Sequence, residues 1–336
     1  MLDDATRIIW QIQLLPGSYT GWVSPAPLEI DAQYRSLREG AGLLDRSERV
    51  RLAVAGAEAA EFLQGQLTND VEALEPGSGC YAALLDRKGR IRADMRVLRH
   101  EPDLLWIDGE QQSGPLIVKH LQTYNVGRDA SVAELGGGGI LSLLGPRSPE
   151  ILGGAPLRPE HAHREQAVAG IACRAVATDI GVDLHVPGEG IEAVRAALLE
   201  AGAEPITIEA AEIARVEAGR PRVGHEIGDA TLPQEAGINE RAVSFTKGCY
   251  IGQETVARLH YRGKPNRHLR LLELDRPVTD GEPVRLGDRE VGTVGTAVLS
   301  PARGPLALAI LRREAEPGAE VVVGEDARAT VEEIAA

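Results

Sequence analysis

Three times before Glu200 the chain repeats one local order: a strand-like run, a turn, then residues at helical spacing. Arg49 to Val54 alternates like a half-buried strand, Gly56 turns, and Glu58 to Leu67 sets Ala59, Phe62, Leu63 and Gln66 on one helical face. The order returns at Ile140 to Leu152 and at Val182 to Leu199, where Pro187 and Gly188 end the strand ahead of an Ala- and Leu-rich helix. Such a unit cannot bury its apolar face alone, so the recurrence predicts an α+β protein with two ferredoxin-like lobes of split β-α-β units. After about Pro265 the helical spacing stops. Leu269 to Leu274, Pro283 to Leu286, Glu290 to Leu299, Leu306 to Leu311 and Glu320 to Val323 are short Leu- and Val-rich runs cut by turn residues, the pattern of a small antiparallel β-barrel.

These shifts divide the 336 residues into an extended lead-in (1–29), a first α+β lobe (30–145), a second (146–265) and a C-terminal barrel (266–336), three lobes around a central opening. Pro16, Gly17, Pro25 and Pro27 mark the lead-in, and Asp31 is a candidate cap for a helix carrying Tyr34, Leu37 and Arg38 before Gly40 and Gly42. Tyr81 to Leu85 and Ile91 to Leu98 form a hairpin turned by Asp86, Arg87, Lys88 and Gly89, followed by a short strand at Trp106 and Ile107. The glycine run Gly136 to Gly139 leads into a strand and opens no helix, so a phosphate-cradling loop is not expected there.

A formal charge of −14 opposes long-range attraction to nucleic acid or anionic lipid, so neither is an expected partner. Direct RNA binding would need a local patch. The best candidate is Arg258, His260, Arg262, Lys264, Arg267, His268 and Arg270, which can equally be one solvated face of an element. No stretch approaches the roughly 20 apolar residues of a membrane-spanning helix. Met1 to Gln13 lacks the basic start and apolar run of a signal peptide, and a cytoplasmic location is expected. Cys80, Cys173 and Cys249 include no Cys-x-x-Cys pair, and only His161 and His163 are close-set among the histidines, so no disulfide framework and no metal site are expected.

The most specific text is Lys247-Gly248-Cys249-Tyr250-Ile251-Gly252-Gln253-Glu254. Its glycines permit backbone conformations closed to other residues, and Gln253 to His260 has helical character, placing Cys249 just ahead of a helix start. That position and the nearby Lys247 both favour a thiolate, the form that acts as a nucleophile. The alternative is a small buried cysteine with no chemistry.

This octapeptide resembles the K-G-C-F/Y-x-G-Q-E signature of YgfZ-type proteins, folate-binding relatives of the glycine-cleavage aminomethyltransferase or T-protein, and departs from it nowhere. The resemblance extends from about Tyr34 to Ala329 and includes Phe62-Leu63-Gln64 and Thr68-Asn69-Asp70, similar to the family's F-L-Q-x-x-x-T-N-D run. It implies tetrahydrofolate, or a one-carbon derivative, in a central cavity. Arg215-Val216-Glu217-Ala218-Gly219 resembles the family's R-x-E-x-G motif, which puts Glu217 where T-proteins recognise the pterin; a carboxylate suits two adjacent N–H donors. Asp94, in Gly89-Arg90-Ile91-Arg92-Ala93-Asp94, matches the T-protein aspartate beside the reactive folate nitrogens. Arg215, Gln253, Arg262 and Lys264 complete the folate-side candidates, one of the last two meeting the glutamate tail, and the loop Pro221 to Gln234 is expected to line the cavity. On the residues alone, Glu217 can be a surface residue of an Ala-rich helix and Asp94 an outward-facing strand residue.

The function the resemblance implies is support for assembly or repair of iron–sulfur enzymes, including tRNA-modifying ones, with Cys249 as a reactive thiol assisted by Lys247 and with iron–sulfur client or assembly proteins as partners. The alternative is a folate-dependent aminomethyl or one-carbon transferase in which Asp94 assists a folate nitrogen. A third reading is a scaffold that only binds a protein partner. Whether the chain is an enzyme of its own stays open at this point.

Overall fold

In the computed structural model, which describes residues 27–334, the chain begins with α1 (Pro27–Glu39), β1 (Gly42–Asp45), β2 (Val50–Ala55), α2 (Ala59–Gln66), β3 (Gly79–Leu85), β4 (Ile91–Glu101), β5 (Leu104–Gly109), α3 (Gly114–Tyr124) and β6 (Ser131–Glu134). It continues through β7 (Gly139–Leu144), α4 (Ser148–Ile151), β8 (His163–Val168), β9 (Ile171–Ala177), β10 (Gly181–Val186), α5 (Ile191–Glu200), β11 (Glu204–Pro205) and α6 (Ile208–Glu217). Next come α7 (Asn239–Ala242), α8 (Gln253–Arg262), β12 (Arg267–Leu274), β13 (Pro283–Leu286), β14 (Arg289–Ser300), β15 (Gly304–Arg312), β16 (Glu320–Val323) and β17 (Ala327–Glu332).

Alternation in β2 points Leu52 and Val54 to one face, where Phe62 and Leu63 of α2 and Ile117 and Leu121 of α3 cover them. β2 lies in a five-stranded antiparallel sheet of order β3-β4-β5-β2-β6. The other face of this sheet is covered too: Ala83, Leu85 and Ile91 pack against Ile227, Ala236, Ile238, Ala242 and Val256. Two covered faces explain why β4 is buried along most of its length. A second sheet, β11-β1-β7-β10-β9-β8, packs Leu141, Leu143 and Leu184 against Val194 and Leu198 of α5. The C-terminal strands close into a barrel in the order β12-β15-β14-β13-β16-β17.

The expected α+β architecture with two sheeted lobes and a C-terminal barrel is therefore present, with differences that have physical causes. The barrel has a sixth strand, β17, whose inward residues Ala327, Ala329 and Val331 are too small to give a strong apolar signal among Arg328, Thr330 and Glu332. β8 and β9 add a hairpin, paired from His163↔Val176 to Val168↔Ile171, to the expected strands; half of β8 is exposed, which leaves it little apolar alternation. The sheets do not follow the linear divisions at 145 and 265. β1 pairs with β7 and β11 of the second sheet, and α8 with the octapeptide lies on the first. Helix α1 starts at Pro27, so Asp31 lies within it and does not cap it; the rest of the expected lead-in falls outside the described residues. Among the described residues no helix is long and apolar enough to cross a membrane.

Candidate functional site

Charged side chains meet where the two sheets face each other. Asp108 on β5 is fully buried and accepts hydrogen bonds from Arg49 Nη2 at 2.6 Å and from Arg96 Nε at 3.0 Å. Arg96 Nη1 reaches Asp183 of β10 at 2.6 Å, while Glu110 takes Arg49 at 2.7 Å and Arg46 at 3.3 Å. Burial opposes ionisation of Asp108, but Arg96 and Arg49 outweigh it and hold its carboxyl well below the usual range. Asp183 and Glu110 are likewise held low against burial by Arg96 and by Arg49. Arg46, Arg49 and Arg96 thus balance Asp108, Glu110 and Asp183. The sequence reading missed this cluster, since its members are single charges within apolar runs; the signal was there in Arg96 between Met95 and Val97 and in Asp108 after Ile107.

Asp94 borders that cluster and stands apart from it. It lies on β4, paired with Ala83, and is buried, which overturns the outward-facing alternative. Its Oδ2 accepts the hydroxyl of Tyr81 at 2.6 Å, and no arginine hydrogen-bonds to it among the described residues. Burial pushes the Asp94 carboxyl up, and the nearby Glu110 adds to the shift against the opposing pull of Tyr81 and Arg49. Burial and Asp94 together drive the Tyr81 phenol far above its ordinary value, so Tyr81 stays protonated and donates. Arg241 lies over the Tyr81 ring at 5.4 Å. A buried acid with a raised pKa and one oxygen fixed by a phenol is equipped to hold or move a proton at its other oxygen.

Helix α6 sends its two candidates to different places. Arg215 is fully engaged: it donates to Glu212, to Glu226 at 3.0 Å, to Thr296 at 2.7 Å and to the Arg220 carbonyl. Arg222, from the loop expected to line the cavity, ion-pairs with Glu212 at 2.8 Å. Glu217 points instead toward α1 and the barrel, where it accepts the Tyr34 hydroxyl at 2.9 Å and the Ser300 hydroxyl, with Arg38 4.0 Å away. The cleft beside it, lined by Leu37, Arg38, Ile180, Ala214 and Ala218, holds about 150 Å³, below the roughly 300–1,000 Å³ of small-molecule sites. Glu217, expected to face a pterin, ties α6 to α1 and β14 through these contacts.

The octapeptide forms an anchored surface loop. Lys247 Nζ donates to the carbonyls of Gln64 at 2.5 Å and Leu67 at 2.7 Å, at the C-terminal end of α2, and lies 5.0 Å from the Tyr250 ring centre. Burial lowers the Lys247 amine to about 8. Its bonds tie the octapeptide to the Phe62–Asp70 motif, and none of them joins Lys247 to Cys249. The rest of that motif also holds this region: Thr68 Oγ1 donates to the Ala242 carbonyl at 2.6 Å and Asn69 Nδ2 to that of Arg241 at 3.0 Å. Gly252 has φ 86°, and a Cβ there would come within 2.4 Å of the Asp86 carbonyl, so only glycine lets the loop close on the β3–β4 turn. Gln253, the first residue of α8, accepts Tyr250 N–H at 3.2 Å and so holds the loop ahead of the helix. Cys249 is exposed and lies three residues ahead of Gly252, the N-cap of α8; Arg262 and Lys264 are exposed at the far end of that helix. Cys80, by contrast, is pushed by burial to about 12 and Cys173 is buried. A thiol reagent added to the native chain is therefore expected to label Cys249 at once and the other two only on unfolding, measured by mass spectrometry of peptides.

The GCVT N-terminal domain family matches residues 15–247. An aminomethyltransferase of Symbiobacterium thermophilum is 29% identical over 84% of this chain and 81% of its own length. Another, from Prosthecochloris aestuarii, is 30% identical over 72% of this chain and 69% of its own. The crystal structure of glycine cleavage system aminomethyltransferase T from Bartonella henselae superposes with a TM-score of 0.84 at 22% identity, covering 95% of this chain and 92% of that one.

Proposed function

Because the chain belongs to the aminomethyltransferase family defined by the GCVT N-terminal domain, we propose that it is a tetrahydrofolate-dependent one-carbon transferase whose reacting centre is Asp94 with Tyr81. The observation that carries this reading is the Asp94 carboxyl itself, buried, short of a guanidinium partner and fixed by a phenol. Tetrahydrofolate supplies the nitrogens that accept the carbon unit. Asp94 would hold or move a proton at the oxygen Tyr81 leaves free, while the Arg49–Glu110–Asp108 cluster keeps the strand in place. Asp94 and Tyr81 fit a ring nitrogen. Glu217 is left out of the folate contacts, since its carboxylate is already tied to Tyr34 and Ser300. Arg215 is assigned to positioning, because its donors are used within the protein.

A second reading is favoured by the Cys249 loop: a cytoplasmic YgfZ-type factor that supports iron–sulfur enzymes, among them tRNA-modifying ones, through an exposed thiol. What supports it is the way this exposed loop is held, with Lys247 tied to α2 and Gly252 closed against the β3–β4 turn. Complementation of a strain lacking such a protein, read out as a cluster-dependent tRNA modification, separates the two. The first reading expects rescue by Cys249→Ala and failure of Asp94→Asn. Failure of Cys249→Ala alone would select the second.

A further inference from the structure

The contact between the β3–β4 turn and α8 joins two groups of cations that lie far apart in the sequence. Gly89 packs on Thr255, a Cβ there meeting it at 3.0 Å, so Arg87, Lys88 and Arg90 stand at the N-terminal end of α8. Arg258 and Arg262 follow Thr255 by three and then four further residues, the spacing of one helical stripe, and Lys264 continues beyond the end of the helix. All six cations are exposed, and among the described residues none makes an ion pair. Lys264 also borders a cleft of about 550 Å³ of mixed charge, lined by His268, Arg270 and Arg313 and by Glu314 and Glu316, which lies beyond the track itself. The acids on the turn and helix are only Asp86, which accepts the N–H groups of Lys88 and Arg90, and Glu254. Arg267, part of the basic run seen in the sequence, leaves it by pairing with Glu235 at 2.8 Å.

We propose that this stripe binds single-stranded nucleic acid, although the chain as a whole carries −14. Four of the six cations are arginines, whose planar forks match phosphate oxygens. Arg258 and Arg262 are separated along the helix by about 6 Å, so the positive charge is drawn out as a track and is not one point. Beside Arg258 stands Tyr261, one helical turn on and 67% exposed, edge-on to Phe245 and His260, which stack at 3.7 Å. A large ring left open to solvent beside a cationic track is what stacks a base. An acidic protein segment would satisfy the cations but would make no use of the exposed face of the Tyr261 ring, whose hydroxyl is held by the Phe245 carbonyl at 3.5 Å. The track borders the Cys249 loop, and the inference does not depend on folate chemistry.

Fluorescence anisotropy with labelled 12-nucleotide RNA and DNA of the same sequence tests this on the full chain. With about six phosphate contacts the salt slope should be about −4, so affinity should fall roughly 250-fold from 50 to 200 mM salt. Arg87→Ala with Lys88→Ala and Arg90→Ala, or Arg258→Ala with Arg262→Ala and Lys264→Ala, should each roughly halve that slope. Tyr261→Ala should weaken binding about tenfold or more without changing the slope. Arg276→Ala with Arg289→Ala, on the barrel, should change nothing. Preference for RNA over DNA would identify the source of the strand. No binding at 50 mM salt, wild-type affinity and salt slope in both triple variants, or displacement by polyglutamate at matched charge would overturn the proposal, the last in favour of an acidic protein partner.

Discussion

Asp108→Ala should lower the melting temperature more than any other single charge removal, by roughly 5–15 °C, as read by circular dichroism. The substitution leaves Arg49 with Glu110 and Arg96 with Asp183, a buried cluster one carboxylate short, and breaking a buried pair in this way costs about 3–5 kcal/mol. The same removal at Asp326, exposed and paired with Arg276 on the barrel, should shift the midpoint by less than about 3 °C, since surface pairs contribute about 0–1 kcal/mol. Because Arg96 also holds Asp183 of the other sheet, the loss should fall on the joint between the two α+β sheets, with amides of β5 and β10 losing hydrogen-exchange protection together. If Asp108→Ala melted like Asp326→Ala, the cluster would be a bystander to folding.

Asp94→Asn should reduce one-carbon transfer to tetrahydrofolate by about 10²–10⁴-fold while leaving the fold intact. The amide oxygen can still accept the Tyr81 hydroxyl, so the packing around β4 is kept and only the titratable proton is lost. Tyr81→Phe should do less, because it removes the orienting donor and leaves the acid. A full rate in Asp94→Asn would remove Asp94 from the chemistry, whereas a large fall in melting temperature would mean that the variant reports on structure.

The parts of the molecule legible in the sequence are those set by local period. Alternation and helical spacing located β2, α2, β10 and α5, and the change of pattern at Pro265 located the barrel, because these signals depend on neighbours within a few residues. What was not legible depends on distant partners. That β1 leaves the following strands to pair with β7 and β11 is decided by packing, and so is the covering of both faces of β4, which buries Asp94 against its alternation. The site divides along the same line. The octapeptide was legible as a loop before a helix with a glycine-dependent turn, but the destination of Lys247 at the end of α2 was not, since a long stem reaches equally well toward the thiol or away from it. Glu217 was read as a free carboxylate because nothing near it in sequence shows Tyr34 or Ser300.

Calorimetric titration of tetrahydrofolate into the wild-type chain and into Asp94→Asn and Glu217→Gln variants tests the central claim most directly. The account predicts saturable binding at one site per chain, weakened in Asp94→Asn and little changed in Glu217→Gln. Absence of binding to the wild type, or binding abolished by Glu217→Gln and untouched by Asp94→Asn, would contradict it.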